Sequence, residues 1–200
     1  MRFSGFEIRE LSKAWFAVSL AFAIALSSGP VSISRIFSIN FTKSFVFAGL
    51  TVGIAFLGHE LAHKYLAQKY GCFAEFMADN KMLLLAVICS LFGFVFAAPG
   101  AVVIHGRVTK EQFGRVSAAG IIVNLALGVV CLCLMPLIAS HMLLEFLAFG
   151  ASINSWLALF NLLPFMPFDG AKVLMWNKKI YFGLAAACLA LTFIVQLMVF

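Results

Sequence analysis

The stretch from Phe45 to His63 reads FVFAGLTVGIAFLGHELAH. From Phe45 to Leu57 it carries no charge, and then His59, Glu60 and His63 follow within about one helical turn. A helix that is apolar all round belongs in a membrane or a deep core. Ionisable groups set against such a run cost free energy and mark function by default. On a helix His59 and His63 stand at i and i+4, so both imidazoles leave one face and can grip one metal ion. Imidazole suits zinc, and Glu60, the next residue round, can reach a metal-bound water as a general base. The H-E-x-x-H pattern also arises by chance in unrelated soluble helices. An uncharged apolar run leading into it argues against chance.

Composition extends the same reading to the whole chain. Of 200 residues 64% are hydrophobic and 11% charged, with a mean hydropathy of +1.06. Soluble domains run nearer half apolar and about a quarter charged. A water-soluble globule is excluded, and an all-α polytopic protein of the lipid bilayer is expected. The formal charge of +6 is therefore read as membrane topology and not as a nucleic-acid footprint. Cys72, Cys89, Cys131, Cys133 and Cys188 contain no C-x-x-C pair and lie mostly in apolar runs, as free thiols do.

Six apolar stretches follow along the chain: Ala14–Leu26, Ser44–Tyr65, Met82–Ala98, Ser117–Ala139, Met142–Leu163 and Ile180–Phe200. A spanning helix needs about 20 apolar residues, so five to six transmembrane segments are expected. The first stretch has the short core of a cleaved signal peptide, but it is read here as a retained anchor. The domain plan is a single membrane unit over 1–200. Its catalytic core occupies about 44–175, with peripheral spans at 14–29 and 180–200. Asn40-Phe41-Thr42 fits the glycosylation tripeptide, which is too common to carry weight.

Basic residues decide between five and six spans. If all six stretches cross, the fourteen Lys and Arg residues divide almost evenly between the two sides. If Met82–Ala98 enters and returns, twelve of the fourteen gather on one side, leaving only Arg35 and Lys43 on the other. The positive-inside rule prefers the second arrangement. It puts the N-terminus, the 64–115 region and Lys172–Lys179 in the cytoplasm. Gly93, Pro99 and Gly100 supply the breaks that such an element needs.

Two histidines leave a tetrahedral ion wanting a third protein ligand and an open position. Of eight carboxylates, Glu7, Glu10, Glu75, Asp79 and Glu111 lie in polar tracts and Glu60 is the base, which leaves Glu145 and Asp169. Asp169 ends NLLPFMPFDG, residues 161–170, where Pro164 and Pro167 break the helix and free a carboxylate to turn inward. With five spans Asp169 and His63 lie at similar depth; with six they lie on opposite faces.

HELAH and NLLPFMPFDG, with a helix-opening AGIIVN (119–124) between them, resemble the site-2 protease family of intramembrane zinc metalloproteases over about residues 44–175. The resemblance implies that His59, His63 and Asp169 bind one zinc ion and that Glu60 is the catalytic acid and base. It implies that Asn161 sits beside the metal and binds the substrate backbone or the oxyanion. The substrate would be a transmembrane protein. The family's middle motif usually carries proline after its glycine; this chain has Ile121. A short membrane-associated β region after the H-E-x-x-H helix is also implied. Val102-Val103-Ile104 fits it, with an edge able to pair with an extended substrate.

Other polar residues receive plainer readings. His105 is expected to be a structural histidine, His141 solvated in an external turn and Glu145 interfacial. Asn124 and Asn154 are expected to join helices by hydrogen bonds. The expected activity is metal-assisted hydrolysis of peptide bonds in or beside the membrane, with the active site near the cytoplasmic side. Two alternatives are a prenyl-protein type of H-E-x-x-H membrane peptidase, whose third ligand would be a glutamate, and a non-catalytic metal-binding membrane protein. The first has only Glu145 to offer, at the wrong face; the second has no use for Glu60.

Overall fold

A computed structural model describes residues 1–27, 39–95 and 99–199. Arg35, the tail of the 14–29 segment and the 96–98 end of the third apolar stretch lie outside the described residues. The elements are α1 (Gly5–Leu26), α2 (Ile39–Ala48), a π-helical turn (Gly49–Gly53), α3 (Ile54–Lys69), β1 (Phe73–Ala78), α4 (Asn80–Ser90), β2 (Gly100–His105), α5 (Lys110–Leu134), α6 (His141–Asn161), α7 (Asp169–Trp176) and α8 (Lys178–Val199). They form two compact units, one of Met1–Leu57 with Glu75–Val103, the other of Gly58–Ala74 with Ile104–Phe200.

Among the described residues four helices are long and apolar enough to cross a membrane: Phe41–Lys69, which joins α2, the π turn and α3, then Lys110–Leu137, His141–Asn161 and Lys178–Val199. Among the described residues the third apolar stretch contributes to one helix, the 11-residue α4. At 1.5 Å per residue that helix is about 16 Å long, half of a hydrocarbon core. Helix α1 has 22 residues, but Glu7, Arg9, Glu10 and Lys13 fill its first half.

In the first unit, α1 starts at Ser4, whose hydroxyl accepts from the Glu7 N–H at 3.1 Å. The charged first half is ordered by what it holds. Glu7 accepts the Phe76 N–H at 3.0 Å and Glu10 the Ala78 N–H at 3.3 Å, while Lys13 donates to Glu10. Residues 76 and 78 point their donors the same way, so two carboxylates cover the edge of β1 that would otherwise stay open. Further along, Trp15 donates its indole N–H to the Gly49 carbonyl at 3.0 Å. A Cβ at Gly53 would run into that indole, so glycine there lets the ring reach the irregular turn. A π turn misaligns backbone groups, and a side-chain donor repairs one of them.

In the second unit, Ala118, Ile121, Ala158, Leu162, Val173 and Cys188 form a buried core drawn from α5, α6, α7 and α8. Ala118, Ala158 and Cys188 are small, which lets these helices approach closely, and Ile121, Leu162 and Val173 fill the space between them. Helix α5 begins at a capping box: Thr109 accepts from Gln112 N–H and Gln112 accepts from Thr109 N–H. That start lies seven residues before Ser117, so AGIIVN sits inside α5 and does not open it. The expected strand at Val102–Ile104 is β2, paired with β1 in a two-stranded sheet.

Candidate metal centre

His59 and His63 rise from one face of α3, with the two Nε2 atoms 2.9 Å apart and the rings edge to face. Asp169 is brought to the same point by the break between α6 and α7. The helix ends at Asn161, the chain turns through Leu162–Phe168, and Asp169 opens α7. A Cβ at Gly170 would strike the Leu162 carbonyl, so only glycine lets α7 start that close to the end of α6. Asp169 Oδ2 lies 3.2 Å from His59 Nε2 and 2.9 Å from His63 Nε2. Its other oxygen accepts from Lys172 Nζ at 2.9 Å. All three side chains, and Glu60, are buried.

The outer nitrogens of both rings fix what the inner ones can do. His63 Nδ1 faces the Val116 carbonyl at 2.7 Å, and a carbonyl only accepts. His63 Nδ1 therefore donates, and in the neutral ring Nε2 keeps a bare lone pair. His59 Nδ1 faces Asn124 Oδ1 at 2.7 Å, with the same result. Two lone pairs and a carboxylate oxygen then converge with no proton of their own between them. With both rings neutral, that arrangement repels itself unless a cation, a proton or a metal ion, sits among the three. The space for one is kept by Gly120 of α5, where a Cβ would come within 2.6 Å of both Cε1 atoms.

Comparison with known proteins agrees. The chain is 42% identical over 163 residues to "Putative zinc metalloprotease MJ0611" of Methanocaldococcus jannaschii, covering 79% of this chain and 85% of that protein. The chain belongs to this zinc metalloprotease family. It is also 32% identical over 120 residues to "Zinc metalloprotease MJ0392" of the same organism, covering 58% of this chain and 30% of that protein. No family model and no solved structure matches.

Zinc fits the residues of this metalloprotease. Zn–N and Zn–O bonds of 2.0–2.2 Å at tetrahedral angles put ligand atoms about 3.3 Å apart. The three separations here, 2.9, 2.9 and 3.2 Å, are close to that. Two imidazoles and one carboxylate are the donor set of a zinc site that keeps a position open for chemistry.

The other polar residues fall as follows. Asn161 ends α6, and its amide donates to the Leu157 carbonyl at 3.0 Å. His105 is exposed at the end of β2 with its ring 5.9 Å from that of Phe73. Glu145 is exposed near the start of α6. It lies 16 residues before Asn161, about 24 Å along the axis. Asn124 joins helices as expected, donating to Asn154 Oδ1 at 3.0 Å, and it also faces His59 of the candidate centre. The Val116 carbonyl and Lys172 do comparable work and were not anticipated. Lys172 could have been found by its i+3 spacing from Asp169. A backbone carbonyl leaves no sequence signal at all.

Proposed function

We propose that the protein is an intramembrane endopeptidase of the site-2 protease type, hydrolysing peptide bonds within or beside transmembrane segments of membrane proteins. The observation that carries this reading is the buried His59–His63–Asp169 cluster near the end of the 29-residue apolar helix Phe41–Lys69. A centre built into such a helix suits a substrate that also lives in the bilayer.

Bound zinc supplies Lewis acidity at the scissile carbonyl and makes a nearby water more acidic. Glu60 takes the proton of the attacking water and returns it to the leaving amine. Asn161, one loop before Asp169, exchanges its bond to Leu157 for one to the substrate backbone or the developing oxyanion. Asn124 and Val116 hold both imidazoles in the metal-binding tautomer, and Lys172 keeps the second oxygen of Asp169 occupied. A substrate helix hides its carbonyls in its own hydrogen bonds, so it must unwind locally before attack. In this reading the chain crosses five times, Ala14–Leu26 included, with the centre near the cytoplasmic face.

The prenyl-protein reading needs a glutamate ligand, and Glu145 is about 24 Å along α6 from the break that carries Asp169. The non-catalytic reading has no use for Glu60 as a base, although it is buried beside His59 in the chain. The test is cleavage by the full chain, reconstituted in liposomes, of a tagged single-span substrate, with product masses locating the cut. Cuts in or next to the apolar segment are expected, and none from Glu60→Gln. Cleavage confined to a prenylated C-terminal peptide, or none of either substrate at full zinc loading, overturns the proposal.

A further inference from the structure

Asn124 presents its oxygen, not its nitrogen, to His59, and nothing in its own shape requires that. A carboxamide is nearly symmetric, and the two ways round differ only in which atom meets His59 Nδ1. Turned over, Asn124 would offer an N–H. His59 would then have to accept at Nδ1 and carry its proton on Nε2, aimed at the metal position. Asn154 of α6 favours the first, because its Oδ1 accepts from Asn124 Nδ2 at 3.0 Å. Asn154 is an amide with the same ambiguity, and it is settled one step further on. Its Nδ2 donates to the Gly150 carbonyl at 2.9 Å, a backbone oxygen that can only accept. Both asparagines are buried, Asn124 at 0% and Asn154 at 4% exposure, so bulk water does not compete for either.

We propose that Asn154 is a positioning residue for the metal centre: the fixed polarity of the Gly150 carbonyl passes through Asn154 and Asn124 to set the tautomer of His59. The proposal rests on zinc binding at His59, His63 and Asp169. A merely adhesive Asn124–Asn154 pair would join α5 to α6 just as well either way round and would leave zinc affinity alone.

The test is zinc affinity of the full chain in detergent, by competition with a chromogenic chelator, on protein that elutes as a single species. Asn154→Leu removes the acceptor that orients Asn124, and affinity should fall about 10- to 100-fold, the range for loss of such support. Asn154→Asp keeps an acceptor and should stay within about threefold of wild type. The deciding variant is Asn124→Asp combined with Asn154→Leu. A carboxylate accepts whichever way it faces, so the pair should regain near-wild-type affinity without any relay. Recovery in the double variant against the loss in Asn154→Leu establishes the relay, and a folded double variant that binds weakly overturns it even where the single leucine variant does not fold. A double variant that binds as weakly as Asn154→Leu, or an Asn154→Leu that binds like wild type, overturns it. Asp169→Ala separates this from the underlying reading: if it binds zinc as wild type does, the metal centre itself has been misassigned.

Discussion

His59 and His63 can share an ion because a four-residue step on a helix returns to the same face, and that much is legible in five letters, HELAH. What the letters do not carry is which ring nitrogen faces inward. That depends on Asn124 and the Val116 carbonyl, each more than fifty residues away on α5. Asp169 was legible for a different reason: few carboxylates lie outside polar tracts, and two prolines sit just before this one. Two outcomes follow at this scale. Glu60→Gln should keep wild-type zinc content by elemental analysis and lose at least about 100-fold in cleavage rate, since an amide cannot take the water proton. Residual activity within tenfold of wild type removes Glu60 from that role. Asp169→Ala should lose zinc and activity together, whereas Glu145→Ala, at the far end of α6, should lose neither. The reverse result transfers the third ligand to Glu145.

Elements were legible where apolarity alone defines them and obscure where polar residues join in. Apolar content placed the start of α5 at Ser117, and the capping box at Thr109–Gln112 moves it to Lys110. The signal was in the sequence, as a threonine followed three residues later by a glutamine, but an apolar scan passes over polar first turns. The charged first half of α1 reads as a polar head because its partners, the Phe76 and Ala78 N–H groups, are nearly seventy residues distant. Glycines inside helices are similar: their reason lies in whatever approaches them. Gly120 faces both imidazoles, and a methyl group there would come within 2.6 Å of each Cε1 atom. Neither ring can retreat without leaving its hydrogen bond at Nδ1. Gly120→Ala is therefore expected to weaken zinc binding about tenfold or more while α5 stays helical by circular dichroism, because alanine is the better helix former. Unchanged zinc affinity would mean that the rings have freedom their contacts deny.

At the scale of the molecule, parity links the site to the membrane. His59 and His63 lie ten and six residues before the end of α3, and Asp169 follows the last turn of α6. Ligands that meet must lie at one depth, so the ends of α3 and α6 must share a face. An even number of crossings must therefore separate them. Helices α5 and α6 supply two, provided that α4 and its flanks do not cross, and at 11 residues α4 is too short to do so as a helix. The charge distribution asks for the same arrangement independently, gathering every Lys and Arg except Arg35 and Lys43 on one side. Parity puts the loop before α5 on the side that the ends of α3 and α6 share, and in the proposed topology the charge bias makes that side the cytoplasm. A cysteine put at Arg107, which is exposed there, reports its side directly once the five native cysteines are replaced by serine or alanine. The substitution removes one basic residue and leaves the bias large. In sealed, oriented vesicles, a membrane-impermeant maleimide should label Arg107→Cys from the cytoplasmic face only. Labelling from the opposite face alone would require the 82–98 stretch to cross. The ends of α3 and α6 would then lie on opposite faces, and His63 and Asp169 could not share one metal ion.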